Sequence, residues 1–370
     1  YNVNETFLDT AYEYNNVLRH GRVLGYKYTG RPSTYGQVAL FVLVPASSTG
    51  IGPDTDYIPL LKRGSRFTST AGQGYVLTEN IDFANSKNPV VAAQIDASTG
   101  APTSYAIKAY GNVVSGYFGQ EEITVGSYER FRRLKLSAQN VSEIISVFDS
   151  SGDEYFEVGY LAQDMVFKEM SNKNYKNDNV PSIMKPYLVS RKFVVERDRF
   201  NTYLQFGSGD TAVGQVVADP QSVAMEIFGK SYVTDTTFDP TRLSKTESFG
   251  ISPYNTTLTV VYRAVNPNDS NLGAGALTSV ASEMPIVGNV TNPTSDEIKR
   301  RVYDTFPTQN RAVTQADYEN VAYRMPAKFG SIKRCSVQRD PDSMKRNLNM
   351  YVISEDQFGK LTPTNSTIKN

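Results

Sequence analysis

The stretch that decides the fold class of this chain is IISVF (residues 144–148), followed by DSSGD (149–153) and YFEV (155–158). Apolar residues fill the two outer segments, and the segment between them holds Asp, Ser and Gly, the residues that turns prefer. Gly152 stands where a tight turn needs a positive φ. The stretch therefore predicts a β-hairpin at the centre of a β-rich chain.

The β-pattern continues on both sides of this hairpin. A second hairpin is predicted from KFVV (192–195) and TYLQF (202–206), with a turn near residues 197–199. LTVVYR (258–263) predicts a strand with Leu258, Val260 and Tyr262 on one face.

Toward the N-terminus, VALFVLV (38–44) is a continuous apolar run that ends at Pro45. Such a run predicts a strand that is covered on both faces. Shorter strands are predicted at residues 60–61, 66–68 and 75–77. Loops are predicted at residues 46–56 and 86–103, and the polar tract 171–179 is predicted as a linker or exposed loop.

A helix is predicted near the N-terminus from apolar residues at helical spacing: Phe7, Ala11, Tyr14 and Leu18. Asn4 can cap its start and Gly21 can end it. His20 then lies at the helix C-terminus, where a cation or a donor is favourable. Because its neighbours offer no acid or nucleophile, we interpret His20 as structural.

Two capping-box patterns, TSDE (294–297) and TQAD (314–317), predict a pair of helices near the C-terminus. The apolar stripe of the first is Ile298, Val302 and Phe306, with Pro307 as its stop. The stripe of the second is Tyr318, Val321, Ala322 and Met325, with its end at Pro326. Strands are predicted around residues 331–338 and 348–353, which gives an αα-ββ module.

Together these patterns predict an α+β, β-rich, multidomain chain, and its 370 residues fit two or three domains. The first part, residues 1–104, is an N-terminal helix plus a β core. The second, residues 105–290, is a β-sandwich-like insertion, with a further boundary near 171–187 left open. The third, residues 291–370, is the helix-pair/β-hairpin module. Because the chain opens at Tyr1 without Met and stops in a polar run, we expect it to be a fragment of a longer protein.

Composition excludes several function classes. Lys and Arg number 38, Asp and Glu also 38, so no net field favours nucleic acid or an anionic membrane as partner. With Cys335 and His20 as the single residues of their types, an intrachain disulfide and a Cys/His zinc site are excluded. No apolar run approaches the ~20 residues of a membrane span. The 42 Tyr and Phe fit protein–protein contacts, although ordinary β packing would explain them too.

The candidate ligand motifs are better explained as local structure. GSGD (207–210) lacks the glycine spacing of a dinucleotide loop, and we predict a tight turn. If its glycines hold positive φ, Gly209→Val is expected to destabilise the chain through backbone strain. GKS (229–231) fails as a phosphate loop because Ala224 replaces its first glycine. The basic, aromatic YERFRRLKL (128–136) is interpreted as a strand with a solvated face, and KRR (299–301) as pairing with Asp296 and Glu297. We therefore predict no catalytic residue, cofactor or metal.

The run NRAVTQADYE (310–319) resembles the signature of the baseplate J-like family, the wedge proteins of contractile phage tails, in its T4-like branch. Four other stretches are similar to the family's patterns and occur in its order. They are LGY (24–26), LKRGSRF (61–67), QFGSGD (205–210) and FGISPYNTTL (249–258). Ser208 departs from the family's usual Asp, which weakens any metal or ligand role for that turn.

The resemblance implies a structural protein without catalysis, located in the virion and assembled in the host cytoplasm. It would homodimerise, form an inner ring around the tail hub, and hold other wedge subunits and the sheath initiator. The candidate assembly interface comprises Asn310, Arg311, Thr314, Asp317 and Tyr318. Arg311 either donates hydrogen bonds to a partner or closes back on Asp317 or Glu319. A β-rich adhesin or receptor-binding module is the alternative function, and an enzyme the least favoured.

Overall fold

The computed structural model describes residues 3–49, 51–70, 72–163, 165–171, 182–209, 249–265, 271–272, 275–277, 292–330, 332–342, 347–356, 358 and 360–364. Within these ranges the chain has three α-helices and nineteen strands. The fold is α+β and rich in β-structure, as the sequence predicts. The tract 172–181 and the GKS at 229–231 lie outside the described residues.

The first sheet has five strands, with β7 at its centre. They are β1 (Tyr35–Pro45), β3 (Arg66–Thr68), β4 (Gly74–Leu77), β6 (Val90–Ile95) and β7 (Pro102–Ser115). All pairs are antiparallel: β7 pairs β1 along one side and both β4 and β6 along the other, and β3 pairs β4. A separate pair joins β2 (Leu60–Leu61) to β5 (Ile81–Asp82). The hydrophobic core of the five-stranded sheet includes Val38, Tyr75, Leu77, Ile107 and Val113.

Two predictions about this sheet are wrong. The strand at residues 38–44 exists, but Phe41 and Leu43 are 58% and 64% exposed, so its second half is covered on one face only. The Lys108 ammonium lies over the Phe41 ring, 5.5 Å from the centroid, where a second apolar layer was expected. Residues 90–95, predicted as part of a loop, form β6 because Val90 and Val91 pair with Ile107 and Ala106 of β7.

The second sheet has seven strands in the order β8-β16-β10-β11-β14-β15-β9. These are β8 (Tyr117–Val125), β9 (Arg133–Lys135), β10 (Val141–Phe148), β11 (Glu154–Glu157), β14 (Lys192–Arg197), β15 (Thr202–Phe206) and β16 (Thr256–Ala264). Both predicted hairpins are confirmed as antiparallel pairs, β10 with β11 and β14 with β15, and Gly152 has φ +87°. Leu258, Val260 and Tyr262 are buried, as predicted.

The second sheet curls around its own core. Side chains from its first strand, Val125, and from its last, Leu134, belong to one hydrophobic cluster together with Phe193 and Phe206. A flat sheet of seven strands could not bring its two ends to one cluster, so the curl follows from the packing. Beside it, β12 (Met165–Ser171) and β13 (Ser182–Leu188) form a two-stranded ladder.

The N-terminal helix, α1 (Tyr14–Val23), begins later than the sequence predicts. Residues Asn4–Thr6 form a 3-10 turn instead, and Phe7 is exposed. The Glu5 carboxylate accepts hydrogen bonds from the Tyr12 and Glu13 backbone N–H groups, so a residue eight positions upstream caps the helix. Gly21 does not end α1 but lies within it, where an added Cβ would meet Val302 at 2.9 Å.

The C-terminal module contains α2 (Ser295–Thr308), α3 (Gln315–Tyr323) and the strands β17 (Arg334–Arg339), β18 (Leu348–Glu355) and β19 (Leu361–Pro363). Both capping boxes are confirmed. The prediction that α2 stops at Pro307 is wrong, because the helix continues to Thr308 and contains Pro307 in its last turn. Phe306, predicted on the apolar stripe, is 60% exposed. The predicted stripe of α3 is not buried either: Val321 is exposed, and the helix ends at Tyr323 rather than at Pro326.

One strand and one helix contact cross the predicted domain boundaries. Strand β7 runs through residues 104 and 105 without a break. Helix α1 packs on α2, where Tyr14, Val17, Ile298 and Val302 share a buried cluster. The three-part division stays a prediction. Any such division has to cut strand β7 or move the boundary away from residue 104, and it has to leave α1 in contact with α2.

Candidate assembly interface

The loop between α2 and α3 makes a tight left-handed turn that presents Arg311 to solvent. Gln309 and Asn310 have φ values of +46° and +59°, a conformation that Asn tolerates better than most residues. The backbone N–H of Arg311 donates to the Thr308 carbonyl at 2.8 Å and closes the turn. Arg311 is exposed, and its Nη2 donates to Gln309 Oε1 at 2.7 Å.

Arg311 does not close back on either of the two acids considered for it. Asp317 Oδ2 accepts from the backbone N–H groups of Thr314 and Val313, at 2.8 and 3.1 Å. Glu319 Oε1 accepts from the Val337 backbone N–H at 3.0 Å. In the described chain the guanidinium therefore stays available to a partner on its outer side.

Thr314, Asp317 and Tyr318 occupy the first turn of α3. Thr314 Oγ1 accepts from the Asp317 N–H at 3.3 Å, which completes the reciprocal cap. The half-buried Tyr318 follows in the same turn, and its N–H donates to the Thr314 carbonyl. Thr314 and Asp317 thus hold the helix start in this chain, and a contact of theirs with a partner stays a prediction.

The cap makes the stability of the module depend on pH. Hydrogen bonds from the Thr314 backbone, and then from Val313, lower the pKa of Asp317 below its ordinary value. The stabilisation is therefore present above the unfolded pKa of about 3.9 and is lost as the pH falls through the lower folded value. We expect Asp317→Asn to lower the melting temperature at neutral pH and to have little effect below that range. Asp296→Asn is the control, because Glu297 makes the cap of α2; equal losses at both pH values would contradict the cap.

An open apolar groove lies beside this loop, between α3, its following segment and the three-stranded sheet. Its volume is about 1130 Å³. The apolar residues that line it include Val321, Met325, Ile332, Met350, Tyr351, Ile353 and Leu361. Tyr351, Met350 and Leu361 are each about half exposed, so the groove wall faces solvent. Among the described residues of its lining one is charged, Arg324, whose Nη2 donates to Asn310 Oδ1 at 2.9 Å.

Helix α3 is fixed against the edge of the sheet by two side chains. The Tyr323 hydroxyl accepts from the Cys335 backbone N–H at 2.8 Å, and Glu319 accepts from Val337 two residues further along β17. These bonds satisfy edge N–H groups that would otherwise be open to pairing. The groove is therefore formed before any partner arrives.

Two arginines of the basic stretch 128–136 have acidic partners within the chain. Arg133 forms an ion pair with Glu196 at 3.1 Å and lies over the Tyr203 ring, 3.8 Å from its centroid. Arg132 pairs with Glu129 at 3.5 Å. The predicted strand is confirmed only for Arg133–Lys135 (β9), where Arg133 and Lys135 are exposed. Residues 128–132 lie outside it, and Phe131 has φ +53° in a turn.

The turn at residues 206–209 is a site of close backbone packing. Gly207 does not have a positive φ, so the condition for backbone strain is not met there; instead an added Cβ would lie 2.2 Å from the Gly250 carbonyl oxygen. The Gly209 N–H donates to that same oxygen at 2.8 Å, and the Tyr128 hydroxyl donates to the Ser208 carbonyl. A phosphate would have to compete with these bonds for the turn.

Comparison with protein-family models finds no match for this chain, and no curated protein matches its sequence. The resemblance to the baseplate J-like family therefore stays a prediction. Among the described residues, no group of three or more His, Cys, Asp or Glu side chains is placed to hold a metal ion. In that same part of the chain, no helix has the length and apolar character needed to cross a bilayer.

Proposed function

We propose that this chain is a structural subunit of a contractile phage tail baseplate, a wedge protein of the inner ring around the hub. The observation that carries the proposal is the apolar groove beside the 310–319 run. Its lining includes Asn310 and Arg324, and the solvent-facing Arg311 follows Asn310 directly in the chain. Exposed apolar and aromatic side chains with an arginine nearby are typical of protein–protein interfaces. The three-part organisation at 1–104, 105–290 and 291–370 is part of the proposal, as are self-association, location in the virion and the absence of catalysis.

Electron microscopy of the parent particle tests this function. An antibody against the chain is expected to label the baseplate of a contractile tail. Labelling at fibre tips, together with a trimer in light scattering, would support the adhesin alternative and refute the wedge proposal.

Arg311→Ala tests the interface itself. Because the side chain is exposed and bonds only to Gln309 among the described residues, we expect a melting temperature within about one degree of the parent chain. Ring or wedge assembly is expected to be lost, measured by sedimentation with the other baseplate proteins of the same phage. Arg300→Ala, a solvent-facing arginine on α2, is the matched control. A large drop in melting temperature, with assembly restored on cooling, would show that Arg311 serves the fold.

A further inference from the structure

Strand β6 is an edge strand with neither Lys nor Pro within it. Its ladder to β7 is regular from Val90 to Ala92 and irregular from there to Ile95. In the described part of the chain it pairs with β7 alone, so its second edge faces away from the sheet. All six of its residues, VVAAQI, are exposed and none is charged. Soluble proteins usually place Lys or Pro on such edges, because free backbone N–H and C=O groups there invite another strand to pair. The composition of β6 favours pairing with a second strand.

The register of β6 shows which groups are turned outward. The Lys108 N–H donates to the Pro89 carbonyl at 3.0 Å, so residue 89 faces β7. Alternation along an antiparallel ladder then turns the N–H and C=O groups of Val90 and Ala92 to the free edge. Between them, Val91 lies in one row with Ala106 and Leu43 on the outer face of the sheet.

We propose that β6 pairs with β6 of a second copy of this chain, antiparallel, about a two-fold axis at Val91. Val90 of each copy then meets Ala92 of the partner subunit, and the two outward-facing residues exchange two backbone hydrogen bonds. The dimer forms four such bonds and a continuous ten-stranded sheet. The two Val91 side chains become a directly opposed cross-strand pair, with Cβ atoms about 5 Å apart.

The charges at the ends of β6 favour a second copy as the occupant. Lys87 precedes the strand and Asp96 follows it directly. An antiparallel two-fold pair with its axis at Val91 sets residue 87 opposite residue 95 of the second copy, one position from Asp96 of the partner subunit. Lys87 and the partner's Asp96 therefore come to the same end of the interface, and this occurs at both ends. Asp96 is held ionised, since hydrogen bonds from the Ser98 hydroxyl and backbone N–H lower its pKa. A parallel arrangement would oppose like charges.

Sedimentation velocity on the chain as it stands tests the proposal, which takes its biological setting from the assembly function proposed above. We expect a concentration-dependent dimer, and Val91→Lys, which opposes two ammonium groups at the axis, is expected to weaken it at least ~30-fold. Leu43→Lys is the matched control, because Leu43 and Val91 are both 64% exposed on the same face, but Leu43 lies on β1 at the opposite edge of the sheet. Mixing Val91→Lys with Val91→Glu is expected to restore the dimer.

A cross-link locates the axis directly. In a Cys335→Ser background, Val91→Cys is expected to give a covalent dimer under mild oxidation, because opposed non-hydrogen-bonded positions lie about 4.5 Å apart at Cα, within disulfide range. Leu43→Cys is expected to stay monomeric. A monomeric parent chain, equal effects of the two lysine variants, or no cross-link at residue 91 would overturn the proposal. A β6 dimer from a chain that does not label a baseplate would refute the proposed function alone.

Discussion

Gly207→Ala is expected to lower the free energy of unfolding by about 4 kcal/mol. Losses of this size are exceptional for a single substitution and arise from causes such as overpacking, which applies here. A Cβ at residue 207 would lie 2.2 Å from the Gly250 carbonyl oxygen and 2.3 Å from that of Phe249. Both contacts are to backbone, so no side-chain rotation relieves them.

The opposing backbone cannot retreat from residue 207. Gly250 has φ +95° and already lies against Lys192, since a Cβ added to Gly250 would lie 2.7 Å from Lys192 Cγ. The next residue, Ile251, donates its N–H to the Ser190 carbonyl at 2.9 Å, and Ser252 donates to Gly209 at 2.8 Å. Residues 250–252 are therefore held on both sides, by the segment before β14 and by the turn after β15, so they cannot move away from a larger residue at 207 without breaking these hydrogen bonds.

Urea denaturation followed by tyrosine fluorescence measures this effect, since the chain has 24 Tyr and no Trp. Gly126→Ala is the matched control: nothing lies within 4 Å of its Cβ position, and a change within about 0.5 kcal/mol is expected. If both variants unfold at the same urea concentration, the close approach at Gly207 carries no energetic weight.

The features that the sequence predicts correctly depend on residues close together in the chain. The hairpin at 144–158 needs two apolar segments and a turn with Gly152, all within fifteen residues. The capping boxes need only a Thr and an acid three positions later. Such local patterns can be predicted from a single sequence because the hydrogen bonds that define them join residues close together in the chain.

The features that the sequence misses depend on distant segments. The start of α1 moves because Glu5 reaches Tyr12, and Gly207 is constrained by residues more than forty positions away. The exposure of Phe41 depends on whether a second layer covers β1, which its apolar run cannot reveal. Burial predicted from a strand or helix pattern alone therefore fails where the partner layer is missing.

The candidate site divides in the same way. Arg311 and the Thr314 cap follow from the 310–319 run. Arg324, Met350 and Leu361, by contrast, line the groove through packing between segments that lie up to 37 residues apart in the chain. A signal for the strand residues is present in LNMYVISE (348–355), where apolar residues occupy both faces of one strand. That pattern is uncommon on a half-solvated sheet and indicates a second surface to be covered.

Arg263→Ala is the second substitution expected to have a large effect, a loss of about 3 kcal/mol in the free energy of unfolding. The side chain is 1% exposed at the end of β16. Its Nη1 donates to Ser33 Oγ at 2.9 Å and to the Ser115 carbonyl at 2.7 Å, and its Nε pairs with Glu143 at 3.3 Å. One guanidinium therefore joins the end of β7 in the first sheet to β10 and β16 in the second.

Truncation at Arg263 would leave the Ser115 carbonyl and the Glu143 carboxylate without this donor at the junction, and it would open a cavity where the guanidinium lay. Arg133→Ala is the matched control, because the side chains of its ion pair are partly exposed, Arg133 at 42% and Glu196 at 22%. Surface ion pairs contribute about 1 kcal/mol or less to the free energy of unfolding. Arg263→Lys keeps the charge but loses the planar fork, so we expect it to recover only part of the loss. The same urea denaturation measures all three variants. A loss below about 1 kcal/mol for Arg263→Ala would show that the two sheets are held together by their apolar contacts and not by this arginine.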